Sequence, residues 1–473
     1  MPILFLAVPL IAVVILSLAI RLLEEKIALW VAIIIAAMQA ILAAFDIHMC
    51  LHNVHNVIND MSFTEKLSVD TLSAVVLFTI GLIAFVALIV AKSTVKGSMF
   101  NFANMILLVM LGMNGLAMAT DLFSMYVFIE ITSTASFILI GIKKGTNGLS
   151  GAFKYYMMSA VASVLMLTSI AFILMQAGTT DINGVAEYLS GLGNKLPVFI
   201  IISFILYTAG LAIKSGIFPF HTWVPNAYSS SPAPVSVLLA GIVTKVSGVY
   251  VLMRIFRDVF LNNAAVGRAL MAMGIISILV GAFAAIGHKD MKRMLAYSSI
   301  SQIGYIIIGI ATGSPLGFAG AILHFFNHAT FKSLLFVNFT AIELKTGQRD
   351  MDNMGGLAEK MPVTGISSII AFLSTAGIPP LSGFWSKLLI ILAVWKVSSS
   401  VAIAALAASI ITLWYFLQLQ KKVYYGEPSK EIEGGREASA GILGVEVLLS
   451  SINVAVGLLF PLILLYISHA GII

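Results

Sequence analysis

Lys214-Ser-Gly-Ile-Phe-Pro-Phe-His-Thr-Trp-Val-Pro225 closes an apolar run that opens near residue 197. Proline removes an amide donor and frees carbonyls, so a helix running into this stretch must break. A second stretch, Ala376-Gly-Ile-Pro-Pro-Leu-Ser-Gly-Phe-Trp-Ser-Lys387, interrupts another long apolar run, and it too has a lysine close by. Non-helical backbone at membrane depth is tolerated only inside protein or around water. Interrupted helices in corresponding positions of two halves point to inverted repeats with an ion path at their centre.

The surrounding chain has the composition this reading requires. Its 473 residues are 60% hydrophobic and 10% charged, whereas soluble domains carry about 25% charge. The mean hydropathy is +1.03. This is a polytopic, all-α membrane protein rather than a soluble enzyme. Apolar runs of about 20 residues predict helical spans over 2–20, 27–45, 69–91, 100–119, 122–142, 152–176, 197–218, 233–256, 266–286, 296–311, 316–342, 363–394, 401–424 and 440–468. The first run lacks a basic leader and a cleavage site, so it is expected to stay as a span.

Basic residues concentrate in alternate loops, such as Lys289, Lys292 and Arg293, then Lys345, Arg349 and Lys360, then Lys421, Lys422, Lys430 and Arg436. The opposite loops hold fewer, among them Lys66, Lys195, Arg254, Arg257 and Lys396. Positive charge marks the cytoplasmic side, so both termini are expected outside the cytoplasm. The net charge of +6 is read as topology and not as nucleic-acid binding. Cys50 is the sole cysteine, too few for a disulfide, an iron–sulfur cluster or a redox pair. No nucleotide-binding GxxxxGK[ST] appears, and no cofactor or metal is called for.

Five charged residues lie deep inside apolar runs: Glu130, Lys214, Lys245, Lys332 and Lys387. Each would cost roughly 2.5–3.5 kcal/mol at a helix centre if left uncompensated. A chain that keeps them must pair them, hydrate them or let their protons move. Lysine suits proton exchange because burial moves its pKa readily, whereas arginine stays charged. His324, His328 and Lys332 recur every four residues and share one helix face, as a water-lined wire would. Two histidines four apart also fit a metal site, but no carboxylate or cysteine accompanies them. His221, just past Pro219, is a candidate entrance group. Snorkelling to the interface is the competing reading for Lys214, Lys387 and the peripheral Lys154. His48, Cys50, His52 and His55 cluster in one loop without a recognised ligand spacing.

Several segments together resemble the antiporter-like proton-conducting subunits shared by respiratory complex I, membrane-bound hydrogenases and multi-subunit sodium/proton antiporters. They are Phe128-Ile-Glu130, the Lys214–Pro225 stretch, Ser231-Pro-Ala-Pro-Val-Ser236, Lys289-Asp-Met-Lys-Arg-Met-Leu-Ala-Tyr-Ser-Ser299 and His324…His328…Lys332-Ser-Leu-Leu-Phe336. The resemblance implies about fourteen transmembrane helices: three in residues 1–98, inverted five-helix repeats in 99–260 and 261–425, and a loop and final helix in 426–473. It implies broken seventh and twelfth helices. It assigns proton-translocation roles to Glu130, Lys214, Lys245, His328, Lys332 and Lys387, with Glu130 setting the proton affinity of Lys214. The His324/His328/Lys332 set is closer to the antiporter and hydrogenase types. The short C-terminal end argues against the large subunit with a lateral helix.

The expected function is ion translocation, of protons or sodium, in the cell membrane. The expected partners are further antiporter-like and other membrane subunits, lipid, and either a peripheral iron–sulfur or hydrogenase module or, in the alternative, an antiporter complex with no redox step.

Overall fold

The computed structural model describes residues 2–19, 24–51, 67–95, 97, 99–193, 196–427, 436–462 and 464. His52 and His55 of the histidine-rich loop, and Lys66, Lys195 and Lys430, lie outside them. The described chain is helical, and apart from three isolated bridge pairs it holds no strand.

The main helices are α1 Leu4–Leu18, α2 Glu25–Leu51, α3 Thr71–Thr94, α4 Met99–Met118, α5 Leu122–Gly141, α6 Thr146–Ala177, α7 Ile182–Gly191 and α8 Val198–Ser215. After α9 Trp223–Ser230 comes α10, Ala233–Val259. The remainder are α11 Ala264–Ile286, α12 Met291–Ala311, α13 Pro315–Thr346, α14 Pro362–Ala376, α15 Ser382–Trp395, α16 Ser399–Val423 and α17 Ala440–Leu458. Among the described residues eleven helices are long and apolar enough to span a membrane. α13 has the length, but His324, Asn327, His328 and Lys332 dilute its apolarity. The segment expected as one span over 363–394 is two helices, α14 and α15, because Gly377 turns left-handed at φ 85° and caps α14 through Leu373 and Ser374. Gly216, at φ 67°, ends α8 in the same way. Both breaks carry a cis proline peptide, Phe218–Pro219 and Pro379–Pro380.

The chain forms two compact units. In the first, aspartates cap α5 and α7: Asp121 accepts from Ser124 N and Asp181 from Gly184 N. The two starts are tied by Leu122 N to Thr180 O at 2.9 Å and Ile182 N to Thr120 O at 3.0 Å. The second unit repeats the device at the same separation. Asp290 caps α12 and Asp350 caps the short turn at Met351–Asn353. Met291 N bonds Arg349 O and Met351 N bonds Lys289 O, both at 3.0 Å. Counted from Asp121 and Asp290, Ser159 and Ser163 on α6 stand at the steps that His328 and Lys332 occupy on α13.

Large apolar side chains such as Ile41, Phe153, Val164, Met175, Ile205 and Ile410 are exposed. A surface of this kind is stable against lipid, not water. Inside, α10 is buried over most of its length and contains π-helical stretches at Leu239–Val243, Lys245–Tyr250 and Ile255–Val259. Such stretches are rare and frequent at functional sites.

Lys289, Asp352 and Lys422 clip the loops at one end of the second unit. Lys289 Nζ lies 2.8 Å from Asp352, and Lys422 pairs with the other oxygen. Hydrogen bonds from Lys289 and Lys422 hold the Asp352 carboxyl at about 2. Because that value is depressed, the contribution of the clip is present above the ordinary carboxylate range and is lost only as pH falls through about 2. Asp352→Asn therefore speeds amide exchange around 287–290 at neutral pH, and wild-type exchange there, corrected for the intrinsic rate, stays flat from about pH 8 to 5.

Candidate functional site: buried amines in two polar clusters

In the first unit α5, α6 and α8 meet around Lys214. The side chain is buried, and Nζ donates to Ser133 Oγ at 2.8 Å and Ser159 Oγ at 2.5 Å. Glu130 Oε1 stands 3.5 Å away and accepts from Ser163 Oγ. The carboxylate is not deeply buried, since 35% of its side chain is exposed. Lys214 does not snorkel, because the break at Gly216 turns the chain and leaves the amine facing the two serines.

Lys245 is fully buried and starts a π-helical stretch of α10. Gly248, three residues on, lies against Ser215; a Cβ there would sit 2.5 Å from the Ser215 amide nitrogen. Only a glycine lets α10 approach α8 this closely. His221 is half-buried and stacks on Phe218, with ring centroids 5.8 Å apart. Lys154 is exposed beside exposed Phe153 and Met157.

In the second unit α12, α13, α15 and α16 enclose the longer cluster. Lys332 is fully buried and donates to Ser298 Oγ at 2.7 Å and Leu295 O at 3.2 Å. Ser298 is also bonded by Tyr415 Oη, at 2.8 Å. Tyr415 lines a cavity of about 340 Å³ together with His288, Lys289, Met294 and Lys422. The hydroxyl pair thus links the lysine to a residue on the cavity wall. Tyr415→Phe keeps the ring and removes the link, so it should slow ion flux about tenfold with little loss of stability. A flux assay beside a thermal melt of the purified complex checks this.

His328 stacks on His324 at 6.2 Å. His324 Nδ1 is 2.8 Å from Ser386 Oγ, and Asn327 donates to Ser382 O and Ser386 Oγ. Lys387 follows on α15, buried, with Nζ 2.8 Å from Thr375 O and 3.4 Å from Ala376 O. These are carbonyls left open where α14 stops, at the negative end of its dipole. The amine also lies over the Tyr305 ring, 4.4 Å from its centroid. Trp385 bonds Gly457 O, so Lys387 belongs to the interior and not to an interfacial belt.

Some charges were misread in the sequence. Lys292, read as a topology marker, is buried with Nζ 2.6 Å from Ser231 O. Arg254, also counted in a loop, is an ion-paired partner of Asp70 and donates to Tyr250 Oη at 3.0 Å. Glu446 was overlooked. It sits seven residues inside α17 and is fully buried. Its signal was the same as that of Glu130, a carboxylate well inside an apolar run. Of the cluster expected in a loop, His48 and Cys50 instead lie in the last turn of α2, and no group of three metal-capable residues occurs among the described residues.

Comparison with known proteins agrees with this architecture. Residues 119–412 match the family model described as NADH:quinone oxidoreductase/Mrp antiporter, TM. NADH-quinone oxidoreductase subunit N of Desulforudis audaxviator is 32% identical over 367 residues, 76% of this chain and 72% of that protein. An Na(+)/H(+) antiporter subunit of Alkalihalophilus pseudofirmus is 28% identical, covering 77% and 74%. A chain of the Mrp complex from Dietzia sp. superposes with a TM-score of 0.89 over 100% of this chain and 96% of its own, at 24% identity, a likeness of fold. With the matched segment spanning both lysine clusters, this multi-pass membrane chain belongs to the NADH:quinone oxidoreductase/Mrp antiporter family of transmembrane subunits.

Proposed function

We propose that the chain translocates protons, or sodium ions in exchange for them, as an antiporter-like subunit of a multi-subunit membrane complex. One observation carries the reading: Lys214, Lys245, Lys332 and Lys387 are all buried. Hydroxyls and carbonyls hold the amines of Lys214, Lys332 and Lys387, and the Glu130 carboxylate stands beside Lys214. A buried amine solvated by neutral groups exchanges its proton at low cost compared with one locked in an ion pair.

In this reading a proton enters from the cytoplasm near His221 or Lys245. The Glu130–Lys214 pair gates its passage to His328, His324 and Lys332, and Lys387 releases it outside. The hydroxyls of Ser301 and Ser333 and the Gln302 amide are buried without a hydrogen-bond partner among the described residues. Water along the path would satisfy them. The basic-loop bias supports both termini lying outside the cytoplasm. The repeated aspartate-tied helix starts support repeats over 99–260 and 261–425.

Moving one charge against 100 mV costs about 2.3 kcal/mol, so a partner or a counter-ion gradient must drive the step. The first reading is a redox module, a dehydrogenase or hydrogenase with iron–sulfur subunits, coupled through other membrane subunits. The His324/His328/Lys332 set and the likeness to an Na(+)/H(+) antiporter chain favour a second reading, sodium/proton exchange with no redox step. The test is purification of the intact complex in mild detergent followed by reconstitution in vesicles. Copurifying iron–sulfur subunits with donor-dependent proton uptake support the first reading, and sodium-driven proton flux without a donor supports the second. Absence of any ion flux from a folded, reconstituted complex sinks both.

A further inference from the structure

α17 turns a polar face to Thr330 and Asn338 of α13, roughly a third of a turn around that helix from the His324/His328/Lys332 stripe. Asn453 Oδ1 accepts from Thr330 Oγ1 at 3.4 Å, Ser382 Oγ at 3.0 Å and Ser374 Oγ at 3.3 Å. Two turns earlier on α17, Glu446 is fully buried. With its amide oriented so that the oxygen accepts from Ser368 N, Asn338 of α13 donates to Glu446 Oε1 at 2.9 Å. Glu446 Oε2 is 3.1 Å from Thr364 Oγ1. The same hydroxyl is 3.1 Å from Glu437 Oε2, and Glu437 Oε1 accepts from Val363 N at 2.6 Å. Glu437 is half-buried and lies at the outer end of this row, in the loop before α17. Gln420 of α16, Tyr424 just past its end, and Ser367 and Ser368 of α14 complete the buried polar surroundings. Among the described residues named in this group, Glu437 and Glu446 are the two carboxyls and none is a lysine or arginine.

A hydroxyl has one proton and donates it once. Two carboxylates cannot both accept from Thr364, so two hydrogen bonds at this oxygen require one carboxyl to carry a proton and donate it. Swapping which one does so is a proton transfer. Resting on the translocation reading above, we propose that Glu446 is a proton station on α17, loaded from the Glu437 end of the row through the Thr364 hydroxyl. Glu437 gives its carboxyl proton to Thr364 Oγ as the Thr364 O–H proton passes to Glu446. Glu437 is left as a carboxylate that water reprotonates, and the charge has moved inward by one carboxyl. The site places a neutral or anionic carboxyl beside the helix that bears His328 and Lys332, and so biases their proton occupancy.

Infrared difference spectroscopy on the intact complex reads the station directly, whether or not the complex transports. A protonated-carboxyl band should vanish in Glu446→Gln. Its exchange with deuterated buffer should slow at least ~10-fold in Thr364→Val and recover in Thr364→Ser. In the flux assay Glu446→Gln should lose ~10-fold or more while Glu446→Asp retains most activity. Glu446→Gln preserves size and one hydrogen-bond acceptor, so a purely structural carboxyl would leave flux intact, and that result overturns the proposal. An unchanged exchange rate in a folded Thr364→Val complex overturns it as well. If Lys387 variants lose flux and Glu446→Gln does not, translocation stands and the station falls. If the wild type shows no flux but the band behaves as expected, the station stands as a carboxyl site and translocation falls.

Discussion

Lys387→Arg abolishes ion flux while the complex still assembles, a fall of about 100-fold or more if the amine relays protons. The amine is held by Thr375 O and Ala376 O, carbonyls freed where α14 ends, and by the face of the Tyr305 ring. A guanidinium satisfies carbonyls and an aromatic face at least as well, so an anchoring role would survive the change. It does not release its proton in the accessible pH range, so a relay would not. Lys387→Met adds the complementary case: it removes the charge and leaves the carbonyls of the break without a donor. Flux in reconstituted vesicles, compared with the yield of intact complex, separates the two roles. Arginine supporting flux within about twofold of wild type would remove Lys387 from the path.

Gly383→Ala prevents stable assembly. A methyl group on Gly383 would lie 1.8 Å from Ser374 O, and the obstacle is backbone, which cannot swing aside. α15 restarts against the last turn of α14, and that contact presents the open carbonyls to Lys387. The expected loss is about 3 kcal/mol or more, at the upper end for overpacking. A thermal melt of the purified complex checks it, with Gly444→Ala as the control, since a Cβ at Gly444 meets nothing within 4 Å. A melt unchanged by Gly383→Ala would mean that the break is looser than its geometry requires.

The two breaks were legible because proline and glycine act through the backbone alone and need no neighbours to be interpreted. Lys214 and Lys387 were legible with them, as charges in runs too apolar to hold them unsolvated. The four-residue spacing of His324, His328 and Lys332 needed only the helix period. What surrounds these groups was not legible. Ser133, Ser159, Ser163, Ser298 and Tyr415 are ordinary residues in sequence, and become a solvent for amines only when helices far apart in the chain meet. Lys292 and Arg254 were assigned to loops because a charge near a helix end has the same pattern whether it faces water or folds back.

Glu446 marks the boundary most clearly. Its run was identified as a span and its charge gave the same signal as Glu130, but what it touches on α13 and α14 is set by packing between distant segments.

The sequence alone determined that this chain crosses a membrane many times, where two of its helices break, and which amines lie too deep to be accidental. Those conclusions follow from transfer free energy and backbone geometry, which act residue by residue. Only the tertiary structure decided what each amine touches: Glu130 and two serines at Lys214, a serine–tyrosine pair at Lys332, a helix's open carbonyls at Lys387. Proton affinity is a property of such contacts at about 3 Å, and packing between distant segments sets them.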